Sequence, residues 1–120
     1  MRKIVIAIAS LAFSLTIAAA NAHAFLDHAE PRVGNTAAAA PRQVALWFTQ
    51  NLEPAFSGIE VRDASGNRVD AGKAAVDSGD RHVMRVPLKA LKPGTYKVYW
   101  HVLSVDTHTT EGNFSFSVGP

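Results

Sequence analysis

The chain has no cysteine. That excludes disulfide staples, thiolate metal sites and thiol catalysis, so packing alone must stabilise the fold. Methionine is scarce: apart from the initiator there is only Met84, isolated in the segment HVMRVPL. One thioether is a packing residue and makes no soft-metal cluster, so no thioether Cu(I) site is expected. An excess of charge is lacking too. Lys and Arg number 12 against 10 Asp and Glu, and Arg2 and Lys3 account for the difference. The rest of the chain is balanced, which gives no reason to expect nucleic acid or an anionic membrane surface as partner. After the first 22 residues no apolar run approaches the roughly 20 residues that a membrane span needs, so the remainder is expected to be soluble. Also missing are a glycine-rich phosphate loop, a Ser-His-Asp set with motif support and a cluster for two metals.

What is present begins with MRKIVIAIASLAFSLTIAAANA. A basic start, an apolar stretch from Ile4 to Ala19 and the small triplet Ala20-Asn21-Ala22 have the layout of a secretory signal peptide. A cut after Ala22 leaves 98 of the 120 residues, enough for one small domain. It also makes His23 the first residue, so that one side chain and its own α-amine offer two nitrogen ligands. A second triplet, Ala22-His23-Ala24, supports instead a cut before Phe25, which would remove the histidine.

Short strand-like segments follow. Gln43 to Thr49 alternates, with Val44, Leu46 and Phe48 on one face. Ile59 to Arg62 leads into the turn cluster Asp63-Ala64-Ser65-Gly66-Asn67. His82 to Leu88 is a further strand, Thr95 to Val105 the longest, and Asn113 to Val118 alternates strictly. No segment holds a helical period, and Pro41 stops the alanine-rich stretch from Ala37 to Ala40 within one turn. Regularly spaced short strands with Gly and Pro punctuation predict an antiparallel sandwich or a small barrel.

Near the end of the longest strand stands Ser104-Val105-Asp106-Thr107-His108. In extended chain, residues two apart share a side, so Asp106 and His108 would present a carboxylate and an imidazole together. Asp-x-His at a strand end is also a common turn cap or surface pair. With the amine and ring of His23, the set is rich in nitrogen with one oxygen donor. Such a set suits tetragonal Cu(II), with Ni(II) and Zn(II) as lesser fits.

The start HAFLDHAEPRVG, the segment VALWFTQNLEPAFSGIEV and the ending GTYKVYWHVLSVDTHTTEGNFSFSVG together resemble the CopC family of periplasmic copper-binding proteins. His23, Leu26 and Pro31 fall where that family has them, and the likeness covers nearly all of the chain after residue 22. The resemblance implies an all-β, Greek-key antiparallel β-sandwich, Ig-like or cupredoxin-like, in preference to a closed barrel. It implies cleavage before His23 and one Cu(II) per chain, held by the amine and ring of His23, the Asp106 carboxylate and the His108 ring. It also implies a monomer in the periplasm that sequesters or delivers copper, with an inner-membrane copper transporter as partner. Gln50 departs from the family pattern, standing where a glutamate often follows the second strand, with Glu53 three residues later. Gln50 can orient a ligand but adds no negative charge.

The remaining candidates read as ordinary residues. His28 is expected to be exposed, His82 to lie on the surface and His101 to be structural. Trp100 is expected in the core beneath the metal site, and Trp47 in the core likewise. Asp27 and Glu30 read as solvated charges, Thr107 and Thr110 as turn formers. The chain therefore reads as a binding module and not a catalyst. Two other classes are compatible with parts of the sequence: an oxidase built on an N-terminal histidine brace, and a metal-free interaction sandwich.

Overall fold

Alternation of apolar residues along short strands is what builds this molecule. The computed structural model describes residues 23–120; the expected signal peptide, residues 1–22, lies outside the described residues. The strands are β1 (Leu26–Glu30), β2 (Thr36–Ala37), β3 (Gln43–Phe48), β4 (Gly58–Arg62), β5 (Ala75–Val76), β6 (Val83–Pro87), β7 (Gly94–Leu103) and β8 (Thr109–Val118). A 3-10 turn, Pro54–Phe56, precedes β4. No α-helix occurs among the described residues, so none there could cross a membrane.

Two four-stranded sheets form, in the orders β1-β3-β6-β5 and β2-β8-β7-β4. Among the described residues only the short β2 pairs in parallel, with β8; every other strand pairing there is antiparallel. Each sheet keeps two edge strands, so the fold is an all-β sandwich and not a barrel. The core lies between the sheets. Val44, Leu46 and Phe48 of β3 face it as their spacing predicts, and Met84 and Val86 of β6 join them. From the other sheet come Tyr96, Val98 and Val102 of β7 with Phe114, Phe116 and Val118 of β8. Fully burying one such side chain is worth about 1.5–3 kcal/mol. A layer of this kind is what replaces disulfides here.

Trp100 also faces inward and meets Phe48 of the opposite sheet edge-on, with ring centroids 5.2 Å apart. Its indole lies over Gly112, its partner on β8, where an added Cβ would sit 2.5 Å from the ring. Trp47 corrects the expectation of a core residue. It has the opposite parity to Leu46 and Phe48, so it lies on the outer face of its sheet, half-buried. There it stacks on His28 at 4.4 Å and 13°. His28 is exposed, as expected, and its Nδ1 lies 2.7 Å from Asp27 Oδ2.

Beside β4, the buried Asp70 carboxylate accepts the Val61 N–H at 3.0 Å and two hydrogen bonds from Arg68, at 3.2 and 2.7 Å. Burial pushes the Asp70 carboxyl upward. The Arg68 guanidinium and the Val61 N–H outweigh that and hold it below the usual carboxylate range.

Candidate metal centre

The β7–β8 ladder runs to its last pair, Leu103 with Thr109, so residues 104–108 must reverse the chain. Ser104 organises that reversal from a fully buried position. Its N–H donates to the His108 carbonyl at 3.0 Å and its carbonyl accepts the Thr107 N–H at 2.9 Å. Its hydroxyl accepts the His108 N–H at 3.4 Å. Thr107 has φ 68°, a conformation that β-branched residues rarely adopt. The loop is tied to the segment after β3 through Val105 N–H to the Asn51 carbonyl, 3.0 Å, and a bridge between Leu52 and Ser104.

This turn corrects the expected geometry of Asp106 and His108. Strand parity applies only in extended chain, and β7 ends at Leu103, before Val105. Thr107 between them has a positive φ, so strand parity does not decide where Asp106 and His108 lie relative to each other.

The chain start is brought to the same place. Ala24 is fully buried, and its carbonyl accepts the Thr110 hydroxyl at 2.7 Å. Phe25 bonds to Thr49 twice: its N–H donates to the Thr49 hydroxyl oxygen and its carbonyl accepts the Thr49 N–H, both at 2.9 Å. The Thr49 hydroxyl also donates to the His23 carbonyl at 3.4 Å. Held in this way, the His23 ring lies against the His108 ring with centroids 4.7 Å apart and a tilt of 48°. Phe25 flanks His23 at 6.0 Å.

Two of the three sequence-selected site residues, His23 and His108, are thus neighbours across the fold. Asp106 is exposed on the same loop, and its carboxylate has no partner among the described residues. Among those residues no three His, Cys, Asp or Glu side chains converge closely enough to hold a metal ion. The arrangement is therefore a pair of imidazoles, with the Asp106 carboxylate exposed elsewhere on the same loop. Its chemistry fits a divalent copper ion, because the donors are nitrogen and oxygen. Met84, the one thioether among the described residues, is fully buried opposite Leu46 and offers nothing to a surface metal.

The other histidines stay apart from the pair. His101 is exposed on β7 and packs on Gly58, where a Cβ would meet its ring at 2.6 Å. His82 is half-buried just before β6, its N–H donating to Asp80 at 3.1 Å. Gln50 is half-buried directly after Thr49, and Glu53 pairs with Arg81 at 3.9 Å. Thr49 and Thr110 were not legible as site residues. Thr110 forms no turn; it reaches Ala24 from 86 positions away, and no local spacing signals such a contact.

Known proteins share this framework. Residues 26–119 match the CopC domain. Protein YobA of Escherichia coli K12 is 38% identical over 118 residues, covering 98% of this chain and 95% of its own length. Copper resistance protein C of Xanthomonas campestris pv. juglandis is 36% identical over 123 residues, covering 98% and 96%. The crystal structure of CopC from Methylosinus trichosporium OB3b superposes with a TM-score of 0.77 at 35% identity, over 82% of this chain and 95% of that one. A sandwich with paired histidines at one end, a domain match over most of the described residues and relatives of this likeness lead to one conclusion: the chain belongs to the CopC family.

Proposed function

We propose that this protein is a periplasmic Cu(II)-binding protein that sequesters or delivers copper in copper resistance. Residues 1–22 act as a signal peptide and are removed, making His23 the first residue. One Cu(II) per chain is then held by the His23 amine and ring, the His108 ring and the Asp106 carboxylate. The observation that carries this reading is the contact between the His23 and His108 rings, which lie 85 positions apart in sequence and meet at 4.7 Å.

The chemistry follows from the donors. Three nitrogens and one oxygen suit a tetragonal ion, and Cu(II) heads the divalent affinity order. The His23 ring and amine close a small chelate only after cleavage, because the same nitrogen is an amide in the precursor. Asp106, free and exposed, turns its side chain to complete the set and adds the one negative charge. The ion is cargo, exposed at the end of a small sandwich. From there it can pass to an inner-membrane transporter without unfolding of the carrier. In this reading the protein works as a monomer and a binder and does not catalyse; a relative named for copper resistance supports the copper role.

Intact mass of the exported protein, followed by Cu(II) titration of the same material, tests the proposal. A mass starting at His23 and saturation at one ion per chain are expected. A start at Phe25 with undiminished tight binding would overturn it, since the amine and ring of His23 would then be gone.

A further inference from the structure

We propose that Thr49 and Thr110 are positioning residues for the metal, clamping His23–Phe25 so that the His23 donors are already in place when the ion arrives. The inference rests on the reading of His23 and His108 as ligands and concerns how they are held.

A free chain start normally frays, and ordering it costs conformational entropy that binding must offset. Here the first three described residues are fastened before β1 begins. The β1–β3 ladder starts only at Leu26, opposite Phe48, so it cannot by itself fix His23. Beyond the Thr49 N–H bond to the Phe25 carbonyl, two threonine hydroxyls do so. The Thr49 oxygen accepts the Phe25 N–H at 2.9 Å and donates its proton to the His23 carbonyl at 3.4 Å. The Thr110 hydroxyl donates to the carbonyl of the buried Ala24 at 2.7 Å. Thr49 directly follows β3 and Thr110 is in β8, so the clamp joins the two sheets across the residue pair that His23 and His108 form. Neither hydroxyl touches another element in these bonds. Their removal therefore bears on the chain start and the site, and leaves the strand ladders intact.

Valine replaces the hydroxyl of threonine by a methyl at nearly constant shape, whereas serine keeps the hydroxyl. Loss of a group that orients a metal ligand typically lowers affinity about 10–100-fold. The test uses protein exported and processed by its own leader, as wild type, Thr49→Val, Thr110→Val, Thr49→Ser, Thr110→Ser and His108→Ala. Cu(II) affinity is read by chelator competition, the ligand set by EPR and the clamp by amide exchange at Phe25 in metal-free protein. Each valine variant should bind Cu(II) at least about tenfold more weakly. Its EPR spectrum should match wild type, because the donors are unchanged, and the Phe25 amide should exchange faster. The serine variants should return to wild-type affinity. Wild-type affinity in both valine variants, alongside lost binding in His108→Ala, would overturn the clamp and leave the ligand assignment standing. So would serine variants as weak as the valine ones. Wild-type affinity in His108→Ala would instead remove the ligand assignment on which the clamp rests. If Thr110→Val fails to fold, the exposed Thr49 decides alone by the same criteria.

Discussion

Asp70 keeps an ionised carboxyl against a burial effect that favours the neutral form. Arg68 and the Val61 N–H make the ionised form the favoured one, so its folded pKa lies below the unfolded value. The sign follows by linkage. The stability it contributes is fully present above the unfolded pKa, near 3.9, and is lost as pH falls through the lower folded value. Asp70→Asn should therefore cost about 1–3 kcal/mol in urea unfolding at neutral pH, and the gap from wild type should close in acid below about pH 4. A gap independent of pH would show that packing, not the charge, is what Asp70 supplies. Met84 makes a second single-residue test. It is fully buried opposite Leu46, so the protein should hold Cu(I) far more weakly than Cu(II) under anaerobic reducing conditions. Equal affinities would mean that Met84 leaves the core to bind. His23 was marked by the Ala20-Asn21-Ala22 cleavage triplet and His108 by the Asp-x-His stretch read together with the family-like motifs. Thr49 and Thr110 left no such mark, since their partners are backbone carbonyls and an N–H set in place by tertiary folding.

Strands with strict apolar alternation were legible to within a residue or two. β3 was expected over Gln43 to Thr49 and spans Gln43–Phe48; β6 was expected over His82 to Leu88 and spans Val83–Pro87. β8 begins at Thr109 instead of Asn113, because its first half, TTEGN, pairs fully with β7 while lacking an apolar period. Two expectations did not follow strand parity. Trp47 has outward parity on β3, and residues 104–108 form a turn with a positive φ at Thr107, to which strand parity does not apply. The absence of a side chain at Gly112 is equally invisible to pattern reading, yet it creates the seat for Trp100. Gly112→Ala would put a Cβ 2.5 Å from that indole. Overpacking of this kind costs about 1–3 kcal/mol, so the urea midpoint should fall without a change in slope. An unchanged midpoint would mean that the Trp100 ring can shift off β8 freely.

The whole molecule is a disulfide-free sandwich in which the start of the described chain and the β7–β8 turn, far apart in sequence, meet at the His23 and His108 rings. Two sheets bring them together: β1 and β3 carry the first, β7 and β8 the second. This explains why family-like motifs at both ends of the chain named the fold, while the site's detailed geometry stayed hidden until the sheets were stacked. The edge strand β1 carries Asp27, His28 and Glu30, charged or polar groups of the kind that discourage edge-to-edge strand pairing. The central claim is that His23 and His108 bind the same Cu(II). EPR of the copper-loaded, processed protein beside its His108→Ala variant addresses it directly. Loss of one nitrogen from the Cu(II) coordination, with much weaker binding, is the expected result; a wild-type spectrum and affinity in the variant would contradict it.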